Sequence, residues 1–323
     1  MRIIYLGSDA IGTDCLTALA NGSHQLVAVV TQPDRPAGRG RKPQPTAIKQ
    51  LAQRLDLTIY AVQDVNAPPI LQEIAKLKPD LLVTFAFNQK LGKTLLDLAP
   101  QGAINVHPSL LPKYRGAAPV ARALLNGESE TGLSMIQMSE DLDAGDILAQ
   151  ERLAIDPQHT TGSLQEYLGQ QAALLLVKVL DEIANGTVKY TPQDHTQATG
   201  APKIKKGEGL LDFFLPAAEL VNYIRAFTPW PGAFAFFHSQ ARPKSERVMI
   251  TWATAGRSDS SPGKPSKTTV EPGTILEDLS VQCGRGVLKI EKIKPAGGNQ
   301  MSWQDFVNGR RVQPGDRITD YER

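Results

Sequence analysis

Two short stretches hold side chains whose types and spacing suit acyl chemistry. The first is Asn105-Val106-His107-Pro108-Ser109-Leu110-Leu111-Pro112-Lys113-Tyr114-Arg115-Gly116-Ala117-Ala118-Pro119. Gly102–His107 reads as an apolar strand, so Asn105 and His107, two apart, project from one face of it. They stand at its carboxyl end, where open α/β sheets bind ligands, and Pro108 and Pro112 stiffen the loop that follows. Alone, either residue is more often a satisfied buried polar group; a same-face pair entering a double-proline loop points to a site. The second stretch is Asp141-Leu142-Asp143-Ala144-Gly145-Asp146. Carboxylates around a glycine turn can bind metal, cap a helix or act as a base, and spacing alone leaves all three open. Together the residues suit direct acyl transfer. An Asn amide and a protonated imidazole donate to a developing oxyanion, each such donor being worth ~2.7–4 kcal/mol of barrier. A carboxylate can take the proton of an attacking amine. No Gly-x-Ser-x-Gly elbow is present, so covalent acyl-enzyme chemistry has no obvious home.

Other candidates carry less. Gly7-Ser8-Asp9-Ala10-Ile11-Gly12 lacks the middle glycine of a dinucleotide fingerprint, and Gln32 stands where the second strand would end in an acid. Nicotinamide dinucleotide binding is rejected, and the glycines read as a tight βα turn. The loop Asp34–Lys42 carries Arg35, Arg39, Arg41 and Lys42 among glycines and prolines, which by composition alone is an exposed flexible loop.

The elements that must position the acyl-transfer residues alternate along the first half. Arg2–Gly7, Leu26–Thr31, Asp80–Ala86, Gly102–His107, Gly132–Met138 and Ile147–Ala154 read as strands. Helical patterns fall at Thr13–Ala20, Thr46–Arg54, Pro69–Leu77, Ala118–Asn126 and Ser163–Ala184. Uniformly apolar strands between amphipathic helices predict a doubly wound, mostly parallel sheet over residues 1–188. A polar, proline-containing stretch at 189–208 reads as a linker. Beyond it, one helix at Pro216–Ala226 precedes short strands at Ala233–His238, Arg247–Thr251, Gly273–Glu277, Ser280–Cys283 and Val287–Lys292. That spacing predicts a small β-barrel over residues 209–323.

Length and composition agree. A chain of 323 residues suggests two domains, and 41% apolar with 21% charged residues excludes disordered and fibrous classes. No apolar run is long enough to span a membrane, and the N-terminus reads as a first strand rather than a signal peptide. Two cysteines, Cys15 and Cys283, match no metal-ligand spacing and suit a reducing cytoplasmic setting. The net charge of +2 conceals an asymmetry. Residues 1–200 carry 17 Lys and Arg against 20 Asp and Glu, and residues 201–323 carry 18 against 13, a hint of a polyanionic partner.

The chain resembles the tetrahydrofolate-dependent formyltransferases. Asn105-x-His107-Pro108-Ser109-Leu110-Leu111-Pro112 and Leu142-Asp143-x-Gly145-Asp146 match the core of that superfamily. Thr31–Gly40, Ala201–Ile204, Ile224–Gly232 and Asp305–Arg311 narrow the resemblance to the family that formylates methionyl-tRNA. Two turns depart from the family pattern, Gly7–Gly12 and Phe85–Gln89. The resemblance implies a formyltransferase fold followed by an OB-like barrel. It implies 10-formyltetrahydrofolate as co-substrate, methionine on initiator tRNA as acceptor, and no metal. Asn105 and His107 would hold the formyl oxyanion, while Asp143 would accept the amine proton and orient His107. Ser109, Leu110, Leu111 and Pro112 would line the folate pocket. Arg35, Arg39, Arg41, Lys42, Lys203, Lys205, Lys206, Arg310 and Arg311 would face tRNA. A cytoplasmic monomer without membrane attachment is expected. The competing readings are an N-formyltransferase acting on an amino sugar nucleotide, a formyl-folate hydrolase, and a non-catalytic RNA-binding protein.

Overall fold

Ile3, Ile4, Tyr5 and Leu6 are completely buried, so the first strand of the computed structural model is covered on both faces. Residues 1–37, 40, 42–139, 141–256 and 270–322 are described. In chain order, β1 (Arg2–Gly7), α1 (Thr13–Asn21) and β2 (Gln25–Thr31) are followed by a small hairpin, β3 (Arg35–Ala37) with β4 (Lys42–Gln44). Next come α2 (Ala47–Arg54), β5 (Ile59–Ala61), α3 (Pro68–Lys76), β6 (Leu81–Phe85), α4 (Lys93–Leu96) and β7 (Ala103–His107). Then α5 (Pro119–Leu125), β8 (Glu130–Gln137), β9 (Ile147–Ala154) and the long α6 (Thr161–Ala184) complete the first half.

Seven strands form one sheet in the order β5-β2-β1-β6-β7-β8-β9. Pairing is parallel from β5 to β7 and antiparallel across β7–β8 and β8–β9. Ile4 and Leu6 pack with Ile70 and Ile74 of α3 and Leu95 of α4. Tyr5 points the other way, and its hydroxyl donates to the Gly12 carbonyl at 2.8 Å. A side chain at residue 12 would strike that hydroxyl, so this glycine serves the packing of Tyr5 rather than a pyrophosphate. Gln32, where a dinucleotide fold would hold an acid, is a structural tie: its amide donates to the Phe87 carbonyl at 3.0 Å. The doubly wound, mostly parallel sheet expected from the sequence is present.

Part of the basic loop forms the β3–β4 hairpin. Pro36 faces Pro43 across the ladder, with Arg35 opposite Gln44 and Ala37 opposite Lys42. Prolines lack the N–H, and pairing them in a two-stranded edge structure leaves the flanking positions to bond.

The chain divides into two compact units. The first comprises Met1–Pro119, Glu130–Ile155 and Ser163–Lys203; the second comprises Val120–Ser129, Asp156–Gly162 and Ile204–Arg323. The boundary falls inside the stretch expected to be a linker, and the part before it is laced to the first unit. Thr191 exchanges backbone hydrogen bonds with Ile147 at 2.8 and 2.9 Å. The Arg115 N–H donates to the Thr199 carbonyl at 2.8 Å, and that of Ala118 to the Ala201 carbonyl at 3.1 Å.

In the second unit, α7 (Ala217–Ala226) precedes β10 (Phe234–His238), β11 (Glu246–Gly256), β12 (Val281–Gln282), β13 (Val287–Pro295) and β14 (Met301–Ser302). The helix α8 (Trp303–Arg310) and the strand β15 (Arg317–Thr319) follow. The sheet runs β12-β13-β11-β10-β15, with β14 on β13. The expected strand at Gly273–Glu277 is present only as bridges, but they decide the architecture. Thr274 pairs with Arg317 and Ile275 with Val281, joining the two edge strands into a nearly closed barrel. Closure removes edges that would otherwise be open to other strands. Helix α8 was not anticipated, although Ser302 is its N-cap and accepts from the Asp305 N–H at 3.0 Å. Its Trp303 and Phe306 rings stack, and Phe306 meets Phe237 edge-on within the core. The turn-rich stretch Ser258–Lys267 lies outside the described residues.

Candidate active site

Strand β7 carries Asn105 and His107 on one face, as the two-residue period requires. The amide of Asn105 is oriented by Thr84 on the neighbouring strand β6. The Thr84 hydroxyl donates to Asn105 Oδ1 at 2.9 Å, which turns Nδ2 toward Asp143 Oδ1, 3.3 Å away. One N–H of that amide is thereby used.

His107 is 3% exposed. Its Nε2 lies 2.9 Å from the Tyr114 carbonyl oxygen. A carbonyl only accepts, so Nε2 carries the hydrogen, and this fixes the tautomer of the neutral ring. Nδ1 then faces Asp143 Oδ2 at 3.7 Å. Only the imidazolium form offers a second donor, and it offers it at Nδ1, beside a carboxylate counter-ion.

The three acids of the second stretch, equivalent in sequence, are separated by the fold. Asp141 is exposed, whereas the Asp143 side chain is 9% exposed. Asp143 adopts a left-handed backbone with φ of 51°, and its Oδ2 accepts the Gly116 N–H at 2.8 Å. That turn is possible because residue 145 is glycine: a Cβ there would be driven into the Gln137 carbonyl oxygen. Asp146 joins the turn to β8 through its carbonyl, which accepts the Gln137 N–H at 2.9 Å. Asn105, His107 and Asp143 thus converge at the carboxyl end of β7. Among the described residues no cluster of three His, Cys, Asp or Glu side chains is arranged to hold a metal ion.

The loop after His107 is braced from β8 and β9. Ser134 Oγ donates to the Ser109 carbonyl at 2.7 Å and accepts from the Leu111 N–H at 3.1 Å. Gln150 Nε2 donates to the Leu111 carbonyl at 2.7 Å. Ser109 and Leu111 are buried, the Ser109 hydroxyl being donated to the Lys113 carbonyl at 2.7 Å, while Leu110 and Pro112 are half-buried. Of Ser109–Pro112, Leu110 and Pro112 are therefore the two that retain exposed surface.

Sequence reasoning missed four groups that hold the site: Thr84, the Tyr114 carbonyl, Gly116 and Gln193. Thr84 and Gly116 sit in quoted or neighbouring segments without a distinguishing pattern. Gln193 comes from the stretch taken as linker and is 6% exposed. Next to it, the hydroxyl of Thr196, the amide of Gln197 and the Thr196 N–H hold the Asp194 carboxyl below its usual range.

The residues expected to meet a polyanion fare differently. Arg35, Lys42, Lys203, Lys205, Lys206 and Arg311 are exposed. Arg39 and Arg41 lie outside the described residues. Arg310 is engaged: its guanidinium bonds both carboxylate oxygens of Glu246 at 2.6 and 2.8 Å and lies 5.6 Å from the Phe306 ring centroid. The Glu246 hydrogen bond raises its pKa further, so this charge is locally neutralised.

Residues 1–180 match the family described as formyl transferase, and residues 203–311 match the formyl transferase C-terminal domain. The chain is 38% identical over 322 residues to the methionyl-tRNA formyltransferase of Geobacter sulfurreducens, covering 98% of this chain and 96% of that protein. It is 37% identical over 323 residues to the protein of the same name from Heliobacterium modesticaldum, covering 98% and 100%. Among solved structures, it is similar to an N-formyltransferase from Helicobacter canadensis in complex with folinic acid and dTDP-3-aminofucose. There the TM-score is 0.61 at 17% identity, with 90% of this chain and 99% of that one covered. It is also similar to HypX from Aquifex aeolicus in complex with tetrahydrofolic acid, with a TM-score of 0.58 at 16% identity over 95% of this chain. The chain spans about half of that protein, 47% of its length. At such identities these two likenesses concern the fold alone.

Proposed function

The chain belongs to the formyl transferase family, and on that premise we propose that it moves the formyl group of 10-formyltetrahydrofolate to the α-amino group of methionyl initiator tRNA. The observation that carries this reading is the convergence of Asn105, His107 and Asp143 at the end of β7, within a chain whose full-length relatives bear that activity in their names.

The chemistry follows from the donors present. The amine attacks the formyl carbon, and the carbonyl oxygen gains charge. The Asn105 amide, aimed by Thr84, donates its second N–H to that oxygen, and His107, when protonated, offers its Nδ1–H, the donor that the Tyr114 carbonyl does not occupy. These bonds are stronger to the developing oxyanion than to the ground-state carbonyl, which is what lowers the barrier. Asp143 accepts the proton that the amine sheds, the C–N bond to the folate nitrogen breaks, and a proton returned to that nitrogen completes the exchange. The left-handed turn at Asp143 and the Gly116 N–H keep the carboxylate in place before substrate arrives.

The exposed cations of the β3–β4 hairpin and of the second unit suit phosphate contacts, which bind through counterion release and need no fixed geometry. OB-like barrels commonly receive oligonucleotides. A cytoplasmic setting fits two cysteines that are both buried and unpaired. An amino sugar nucleotide as acceptor is disfavoured by the basic second half of the chain. The test is formyl transfer from 10-formyltetrahydrofolate to charged initiator and elongator methionyl-tRNA and to an amino sugar nucleotide. Transfer to initiator methionyl-tRNA is expected; turnover of the sugar nucleotide alone would overturn the reading.

A further inference from the structure

We propose that Gln193 is a positioning residue for this reaction: its carboxamide, locked by Arg115, clamps the turn that presents Asp143 to Asn105 and His107. The inference rests on the reading of Asp143 as the base. Gln193 Nε2 lies 2.9 Å from the Asp143 carbonyl oxygen and 2.7 Å from that of Gly145. Its Oε1 lies 2.6 Å from Arg115 Nη2 and 3.2 Å from Arg115 Nε. The partners settle the orientation of the amide: carbonyls only accept and a guanidinium only donates, so the NH2 group must face the turn. Both amide hydrogens and the amide oxygen are thus in use, and the side chain is buried.

The arrangement closes on itself. Asp143 holds a left-handed backbone, which a non-glycine residue keeps only when its surroundings over-determine it. Two successive residues supply that constraint. Arg115 acts through Gln193 on the carbonyls on either side of the turn. Gly116 donates its N–H directly to the carboxylate. Arg115 is tied in turn to 199–201, the same strap that carries Gln193, through its backbone hydrogen bonds with Thr199 and Ala201. Arg115 also reaches His195 Nδ1 at 3.0 Å, which adds a second hold on the strap. If the clamp opens, the backbone at Asp143 is released while Asn105 and His107 stay on β7, and the carboxylate loses its registration with them.

Two substitutions in the full chain separate the clamp from simple packing. Gln193→Glu keeps the shape but turns a carboxylate toward two carbonyl oxygens. Gln193→Met keeps the volume and removes every hydrogen bond. Both are to be checked for folding by circular dichroism and melting temperature, then assayed for kcat and for KM toward the folate donor and the amine. Loss of registration at the reacting centre predicts a fall in kcat of about 100-fold in each, with KM moved by no more than about threefold. Arg115→Met should reproduce the kcat loss, and the Arg115→Met/Gln193→Met double variant should lose little more, because the two act in series. A purely structural Gln193 would lower the melting temperature and leave kcat per folded molecule unchanged. Wild-type kcat in Gln193→Met, or a loss confined to KM, would overturn the proposal. Wild-type turnover on methionyl-tRNA tests the reaction assignment. The variant-to-wild-type ratio, taken on whichever amine the wild type formylates, tests the clamp, so the two failures are distinguishable.

Discussion

Asn105 is held by a hydrogen bond from β6, and His107 and Asp143 by backbone groups of the Tyr114–Gly116 segment, whereas Lys42, Lys203, Lys205 and Lys206 are exposed to solvent. The two regions serve different physics. Stabilising a transient oxyanion requires donors that are already in place, since any reorganisation raises the barrier. Attracting a polyanion works through fields that act over roughly 8–10 Å and tolerate disorder in the side chains. The basic surface contains its own exception. Arg310, paired with Glu246, resembles the proposed catalytic residues in being fixed, and is for that reason less suited to a phosphate contact.

The largest effect should come from the oxyanion donors. Asn105→Ala or His107→Ala is expected to lower kcat by about 100- to 1000-fold while leaving tRNA affinity near wild type. Single-turnover formylation and a filter-binding titration measure the two separately, and a near-normal rate would remove these residues from the mechanism. Next, Asp143→Asn preserves shape and hydrogen-bond reach but cannot accept a proton. It should be almost inactive, with Asp146→Asn clearly milder; the reverse ranking in a rate assay would exchange their roles.

The rigidity of the site can be probed at Gly145, where a Cβ would meet the Gln137 carbonyl. Gly145→Ala should destabilise the fold by about 1–3 kcal/mol, read by chemical denaturation, and depress activity with it. A neutral result would mean that the turn is looser than the comparison requires.

On the basic side, tRNA affinity should fall with salt with a negative log–log slope, and Lys205→Ala/Lys206→Ala should flatten it by up to ~2. Arg39→Ala/Arg41→Ala should act likewise, whereas Arg310→Ala should change it by less than ~1 and instead cost stability. Equal slopes for all variants would erase the distinction between engaged and exposed cations.

The smallest effect concerns Glu208, which pairs with Arg122 at 2.7 Å. The hydrogen bond from Arg122 lowers its pKa against the opposing effect of burial. A depressed folded value means stability that is present above the unfolded pKa and lost as pH falls through the folded one. Glu208→Gln should therefore cost about 0.5–1 kcal/mol near neutrality, and the difference should shrink as pH falls below the ordinary glutamate range of about 4.3, being gone only below the lowered folded value. Denaturation curves at pH 7 and pH 3.5 would check this.

Much of this organisation was legible in the chain. Mainly apolar runs such as Leu81–Phe85, interrupted only by Thr84, read as strands covered on both faces, and all five of those residues are buried. The Asn105/His107 pairing follows from the period of a strand. The C-terminal barrel was less legible, because short strands give weak patterns and α8 lies among residues of mixed polarity despite its Ser302 cap.

What the sequence by itself determined is therefore local: periodicity, caps, turns, and the residue types at the end of β7. Tertiary structure alone decided which of three nearby acids turns inward, because that depends on the approach of Gly116 and Gly145 to distant backbone. It also decided that Gln193, 50 residues beyond Asp143, holds the turn, and that Glu246, 64 residues before Arg310, neutralises it. Contacts across such separations leave no periodic trace in sequence. They arise only when the sheet and the barrel have brought the partners within hydrogen-bond reach, where donor and acceptor chemistry then selects them.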